Sequence, residues 1–322
     1  MNSLEFESSP YIEDIHKGLL EEGFFLLKKL HLNVGKKNKP FLRILLADKT
    51  GHLPAIYFGS RTDLQEKQQN LHEGDIVKIS GIIEEYQGIL QVKLLKIEKD
   101  SRKDWELSRF WKRTPYDRRE LYRSLKKYLE GISDKALREL CFAFLKDRAF
   151  MKLFLEAPAS RFIHHAYIGG LLEHTLHVLQ VADSFGRIFQ QADHDLLISG
   201  AFLHDIGKVD EYKYLFSIDH TSPGKLKGHT LLGYDRLQEK LRSLQLDPRV
   251  RLKLEHILLA HQGKKQWGAV EEPRFLEAFL IHAADSTDSS QFIFSNARRS
   301  SSGDDPVWSE FVSYLGREIY LG

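Results

Sequence analysis

Cysteine is nearly missing from this sequence: Cys141 stands alone among 322 residues. One thiol excludes an internal disulfide, a cysteine-based zinc site and a thiol pair, and it fits a reducing compartment, so the chain is expected in the cytoplasm. Long apolar runs are lacking too. Stretches such as Leu196 to Leu203 fall far short of the roughly 20 residues that a membrane span needs. Residues 1–10 carry acids, where a secretory leader carries a basic start and an apolar stretch. A protein neither exported nor membrane-spanning is expected. Proline and glycine are sparse, at 9 and 22, and the content of 42% hydrophobic and 29% charged residues is that of a globular chain. The length suits about two domains.

Net charge is nearly absent as well, at +2, but the sum hides its distribution. Residues 1–104 hold 16 basic and 16 acidic side chains, residues 105–150 hold 12 against 7, and the remainder 19 against 22. Histidine is uneven in the same way, with 11 of 15 between His164 and His282. Imidazole chemistry is therefore expected in the second half.

Branched and aromatic residues mark strands over Phe24–Val34, Phe41–Asp48 and Leu53–Phe58. A helix follows at Thr62–Leu71, capped by Thr62 or Asp63. Alternating strands then span Asp75–Glu84 and Ile89–Lys99 around a Tyr86-Gln87-Gly88 turn. Three strands, a helix and two strands is the order of a five-stranded OB barrel. Beyond Asp100 the pattern is helical: Trp105–Tyr116 reads as a connector with aromatic anchors. Helices are expected near Asp117–Glu130, Asp134–Leu145, His164–Phe189, Asp193–His204, Thr230–Leu244, Pro248–His261 and Pro273–Asp285.

The strongest chemical feature is His204-Asp205, closing the apolar run from Leu196. An imidazole and a carboxylate ending so apolar a helix need a metal or a polar network. His174 on the preceding helix and Asp285 at the end of a later one complete a mixed nitrogen and oxygen set. That set suits Mn, Fe, Co or Zn better than Mg, and Mn2+ is the expected ion. The order His, His-Asp, Asp in a helical domain resembles the HD superfamily of metal-dependent phosphohydrolases. His229, before a helix, and His261, at a helix end, are candidates for a second ion. His256 lies five residues before His261, about 140° around the helix, so it reads as a phosphate contact or a core histidine. His177, three residues after His174, reads as packing or support, and His164 and His165 as surface or packing residues.

With these residues assembled, the chain resembles the YhaM family of bacterial 3′→5′ exoribonucleases, which join an OB domain to an HD domain. The resemblance rests on Gly74–Gly81, on His164–Thr175 with its Gly-Gly-Leu-Leu-Glu-His core, on His204–Lys208 and on His256–Gly263. It implies an all-β OB domain over residues 1–100, a basic helical connector over 101–158 and an all-α HD domain over 159–322. The implied metal ligands are His174, His204, Asp205 and Asp285, with His229 and His261 toward a second ion or the substrate phosphate. Homo-oligomer formation and 3′→5′ polarity are implied by the resemblance alone. One departure stands out: the family pairs two histidines where this chain has His261-Gln262.

In such a site Asp205 orients the attacking water, Lys208 offsets phosphate charge and His229 protonates the leaving 3′ oxygen. An exposed lysine is the plainer reading of Lys208. Between Gly23 and Ala47 acids are absent while Lys28, Lys29, Lys36, Lys37, Lys39 and Arg43 accumulate. OB barrels bind single strands with basic and aromatic groups, so Lys36, Lys37, Arg43, Tyr57, Phe58 and Tyr86 are candidates for gripping single-stranded RNA or DNA. Strand alternation leaves Phe41 and Phe58 equally open to a core role. Two other readings stand beside an exonuclease: a phosphohydrolase of nucleotides or cyclic dinucleotides, and a nucleic-acid-binding accessory protein with a vestigial metal site.

Overall fold

A computed structural model describes residues 9–35, 38–102, 109–214, 218–300, 307–312 and 314–322. By contacts the chain divides into two compact units, one ending at Arg113 and the other beginning at Thr114.

In the first unit, strands β1 (Gly18–Val34), β2 (Pro40–Ala47), β3 (His52–Tyr57), β4 (Ile76–Tyr86) and β5 (Ile89–Lys99) close a barrel in the order β1-β2-β3-β5-β4. All pairings are antiparallel except β3 with β5, and helix α1 (Arg61–Asn70) connects β3 to β4. This is the expected OB topology. Register shifts near Leu20–Gly23 and Leu27–Lys29 let the long β1 pair with β4 along one part and β2 along the other. Phe25, Leu27, Leu42, Ile44, Leu46, Val77, Ile79, Val92 and Ile97 fill the interior, with Leu64 of α1 packed against them. The cap of α1 is Ser60, whose Oγ accepts from the Asp63 N–H, in place of the expected Thr62 or Asp63. Phe110 packs on the barrel's outside against Phe24, Leu26 and Ala47, with Trp111 beside it. The other anchor of the expected connector, Trp105, lies outside the described residues.

The second unit is helical: α2 (Arg118–Glu130), α3 (Lys135–Leu145), α4 (Arg148–Phe154), α5 (Gly170–Ile188), α6 (His194–Leu203), the single turn α7 (Lys208–Glu211), α8 (Ser222–Leu241), α9 (Pro248–Ala260) and α10 (Leu276–Ser300). A two-residue hairpin, β6 (Tyr212–Lys213) with β7 (Asp219–His220), is a small strand element that the sequence pattern does not signal. Leu125, Leu129, Phe144 and Phe154 of the connector region share one core with Leu172, Leu197, Phe202, Ile257 and Ile281. Asp117, Asp134, Asp147, Asp193 and Asp247 each cap a helix by accepting from a backbone N–H of its first turn.

Three helices differ from expectation in ways that matter for chemistry. α5 begins at Gly170, not His164, because Gly169 at φ 80° ends an irregular loop in which His165 itself has φ 45°. α8 begins at Ser222 and kinks at Gly228, where φ 69° suits glycine and breaks the helix just before His229. α10 continues to Ser300, well past the expected end at Asp285. No helix among the described residues is long and apolar enough to cross a membrane.

Candidate metal centre

Helix α6 is buried from Leu196 to Leu203 and delivers His204 and Asp205 into the middle of the helical unit. The next residues hold α8 close: a Cβ on Gly207 would collide with the His229 carbonyl and the Gly233 N–H, so only glycine allows this approach. The kink at Gly228 frees the His229 N–H to donate to Glu211 Oε1 at 3.2 Å and turns the His229 ring toward Asp205. α5 supplies His174, the end of α9 supplies His261, and α10 supplies Asp285.

Two groups result, sharing Asp205. Around Oδ2 lie His174 Nε2 at 3.3 Å and His204 Nε2 at 3.2 Å, with Asp285 Oδ1 3.3 Å from His174 Nε2. Around Oδ1 lie the Nε2 atoms of His229 and His261, each at 3.5 Å. The hydrogen bonds on the far side of each ring fix what faces inward. His204 Nδ1 donates to the Ala201 carbonyl and His261 Nδ1 to the Leu258 carbonyl. His174 Nδ1 donates to Asp288 Oδ2 at 2.7 Å, and His229 Nδ1 to Glu211 Oε1 at 3.3 Å. Carbonyls and carboxylates only accept, so in the neutral ring each inward Nε2 presents a lone pair. Yet His174 and His204 face each other at 3.2 Å, and His229 and His261 at 3.3 Å. Paired lone pairs at that separation call for a cation between them.

Charge points the same way. Glu173, Asp205, Glu211, Asp285 and Asp288 surround the histidines, and Lys208 is the ammonium among them, 2.5 Å from Asp205 Oδ2. Burial works against ionised Asp205, but Lys208 and the neighbouring imidazoles hold its carboxyl well below the usual range. Burial works against charge on His174 too, yet Asp205, Asp285 and Asp288 raise it well above an ordinary imidazole. A buried carboxylate among converging imidazoles, with no donor aligned on its Oδ1, fits one or two divalent transition ions.

The expected residues His174, His204, Asp205, Asp285, His229 and His261 are therefore brought together, and Lys208 is buried beside them instead of exposed. His229 lies within the ligand-like group. Its Nδ1 donates to Glu211 Oε1 at 3.3 Å, and its Nε2 faces His261. His256 stands elsewhere: its ring packs on Phe275 and its Nε2 accepts from the Arg274 N–H. Gln262, at the departure from the family's histidine pair, directs its amide nitrogen to His229 Nε2 at 3.2 Å.

Sequence reasoning missed Asp288, one helical turn beyond Asp285. Its carboxylate accepts from His174 Nδ1, His177 Nδ1 and His165 Nε2, at 2.7, 2.7 and 2.9 Å. It thus fixes the tautomer of His174 and gives His177 the supporting role. The i, i+3 spacing from Asp285 was the available signal. His164 was missed too: its ring lies 5.2 Å from that of His174, and burial, with Lys208 nearby, pushes it down to about 3, so it is neutral.

On the barrel, Arg43 is exposed between His31 of β1 and Ile56 of β3, all on the outer face. Phe58 is exposed and its ring meets Phe41 at 5.5 Å. Both rings are outside the barrel interior, which settles the alternative left open by alternation. Tyr86 is exposed at the end of β4. Tyr57 departs from expectation. It pairs with inward Leu42 and packs at the edge of the interior with Leu53 and Ala55, so strand alternation takes its ring off the outer platform. Lys36 and Lys37 lie outside the described residues.

Comparison with known proteins agrees with this division. A model described as an OB-fold nucleic acid binding domain matches residues 27–100, and one described as an HD domain matches residues 171–290. A third, described as a putative helicase, matches residues 107–193. Among solved structures, the second OB-fold domain of replication protein A from Methanococcus maripaludis resembles the barrel at 15% identity. It covers 30% of this chain and 97% of that one, with a TM-score of 0.24, too slight a likeness to add to the topology. The fold and centre define an OB-fold nucleic-acid-binding domain joined to an HD domain. The 3′-5′ exoribonuclease YhaM of Halalkalibacterium halodurans is 31% identical over 268 residues, 83% of this chain and 82% of that protein. That of Listeria innocua is 30% identical over 279 residues, 86% of this chain and 87% of that protein. The chain belongs to the YhaM 3′-5′ exoribonuclease family.

Proposed function

We infer that this chain is a metal-dependent 3′→5′ exoribonuclease, gripping single-stranded RNA on the barrel and hydrolysing its terminal phosphodiester at the helical centre. The observation that carries the chemistry is the convergence of four imidazole Nε2 atoms on the two oxygens of buried Asp205. His174, His204, Asp205 and Asp285 would hold one divalent ion, Mn2+ in our reading. His229, His261 and the second Asp205 oxygen would hold another. When bound, such an ion offsets charge on the non-bridging phosphate oxygens and acidifies water for attack.

The chain's own groups do the rest. Asp288 and Glu211 hold His174 and His229 in the tautomers that keep Nε2 basic. Lys208, held by Asp205, would offset charge on an incoming phosphate. Arg43 and Phe58 offer a charge and a stacking ring to the strand. His256 is assigned no contact with the reacting phosphate. We extend the reading to the cytoplasm, where a chain with the lone buried Cys141 needs no disulfide, and to assembly as a homo-oligomer.

The test is incubation with Mn2+ and 5′-labelled single-stranded RNA. A ladder of products shortening from the 3′ end is expected. Cleavage of free nucleotides alone, or binding without turnover, would overturn the reading.

A further inference from the structure

Phe162 is 75% exposed, yet the loop that carries it is tightly built. Ser160 Oγ accepts from the Ile163 and His164 N–H groups at 3.1 and 3.0 Å and donates to the His164 carbonyl at 2.6 Å, so the chain turns back on itself with Phe162 near the tip. The His164 ring lies 5.2 Å from that of His174, which sets the tip close to the metal centre, since two residues of chain reach at most about 7 Å. The ring of Phe162 is also held in place. The Arg161 guanidinium lies over it, 4.6 Å from the centroid, which covers one face and leaves the other to water.

A second element meets this loop. Glu211, the partner of His229 Nδ1, leads directly into β6, and Arg161 pairs with Asp219 of β7 at 3.4 Å. That pair ties the loop anchored at His174 to the hairpin anchored at His229, beside both halves of the centre. The hairpin side is basic. Lys213 stands opposite Asp219 in the hairpin, and the His220 N–H, Arg161, Lys225 and Lys213 hold the Asp219 carboxyl below the usual range. Three cations around one carboxylate leave positive charge to spare, next to an aromatic ring with a free face. Phosphates answer the charge and a nucleobase answers the ring, since every base has a π-face. We propose that Phe162 stacks on one of the two nucleobases flanking the scissile phosphate, giving the helical unit a sequence-tolerant base contact of its own. This rests on the reading of the centre as a phosphodiester hydrolase. Arg161 is the positioning residue that orients the ring.

The test crosses residue with base. Wild type, Phe162→Ala and Phe162→Trp are assayed with Mn2+ on an RNA oligomer and on oligomers carrying one abasic ribonucleotide at the last or next-to-last position. For wild type, KM should rise about tenfold on one of the abasic oligomers, with kcat within about twofold. Phe162→Ala should show the same rise on intact RNA and nothing further on that oligomer, and Phe162→Trp should restore the wild-type pattern. Equal wild-type kinetics on all three oligomers would overturn the proposal, whatever the variants do. So would a Phe162→Ala that matches wild type on intact RNA, or one that loses the same factor on every oligomer, which marks an effect independent of the base. Absence of wild-type turnover on every oligomer would fail the functional reading, and the proposal with it.

Discussion

In the barrel, the interior from Phe25 to Ile97 is apolar, and the charged groups that suit RNA stand on its outer face. In the helical unit the arrangement is reversed: the chemistry is buried, with His174, His204 and Asp205 each no more than 1% exposed. The difference teaches what each region can tolerate. In the proposed reading an exposed Arg43 or Phe58 would contribute to binding in a graded, salt-sensitive way, since water solvates the surface either way. A buried carboxylate has no such latitude and must be matched by partners or a cation. Gripping is therefore spread over many replaceable contacts, and cutting is concentrated in a few groups that depend on one another.

Substitutions should separate the two regions by size of effect. His174→Ala removes a convergent lone pair and a partner of three carboxylates. Hydrolysis should fall by about a thousandfold or more, the several kcal/mol that metal assistance supplies. Steady-state kinetics on RNA check this. Asp288→Asn keeps the shape but weakens the support of His174, His177 and His165, so metal affinity should fall about 10–100-fold, read by calorimetry. On the barrel, the double change Arg43→Ala with Phe58→Ala should weaken RNA binding by about tenfold and reduce its salt dependence by about one charge. The rate at saturating substrate should be unchanged, and fluorescence anisotropy against salt reads the first two effects. A fall in that rate would break the division of labour.

The smallest effect concerns stability alone. Asp147 caps α4 and pairs with Lys240 Nζ at 2.6 Å, and that ammonium, with the capped N–H groups, holds its carboxyl below the usual carboxylate range. A depressed folded-state pKa gives stability that is present above the unfolded value and lost as pH falls through the folded one. Asp147→Asn should lower Tm by a few degrees at pH 7, with the gap closing below about pH 3.8. Thermal melts across pH check it.

Much of this was legible because it was local. Strand alternation gave the barrel its five strands in order, and His204-Asp205 ended a helix too apolar to leave them unmatched. What stayed hidden depended on chain direction in space. Asp288 and Ser289 lie on a stretch of α10 rich in Ser, Thr and Asp, poor helix formers whose run ended the readable pattern at Asp285. The helix persists there because those polar groups find buried partners across the unit. His164 looked helical, and only the left-handed turns at His165 and Gly169 bring it to the centre. Tyr57 looked like a platform residue until its pairing with Leu42 set its face.

The central claim is that gripping and cutting are separable and that cutting runs through Asp205. Asp205→Ala, assayed in parallel for binding and for 3′ shortening of 5′-labelled single-stranded RNA with Mn2+, tests it most directly. The account predicts no ladder and an affinity within about threefold of wild type. A ladder formed at an undiminished rate would contradict the account.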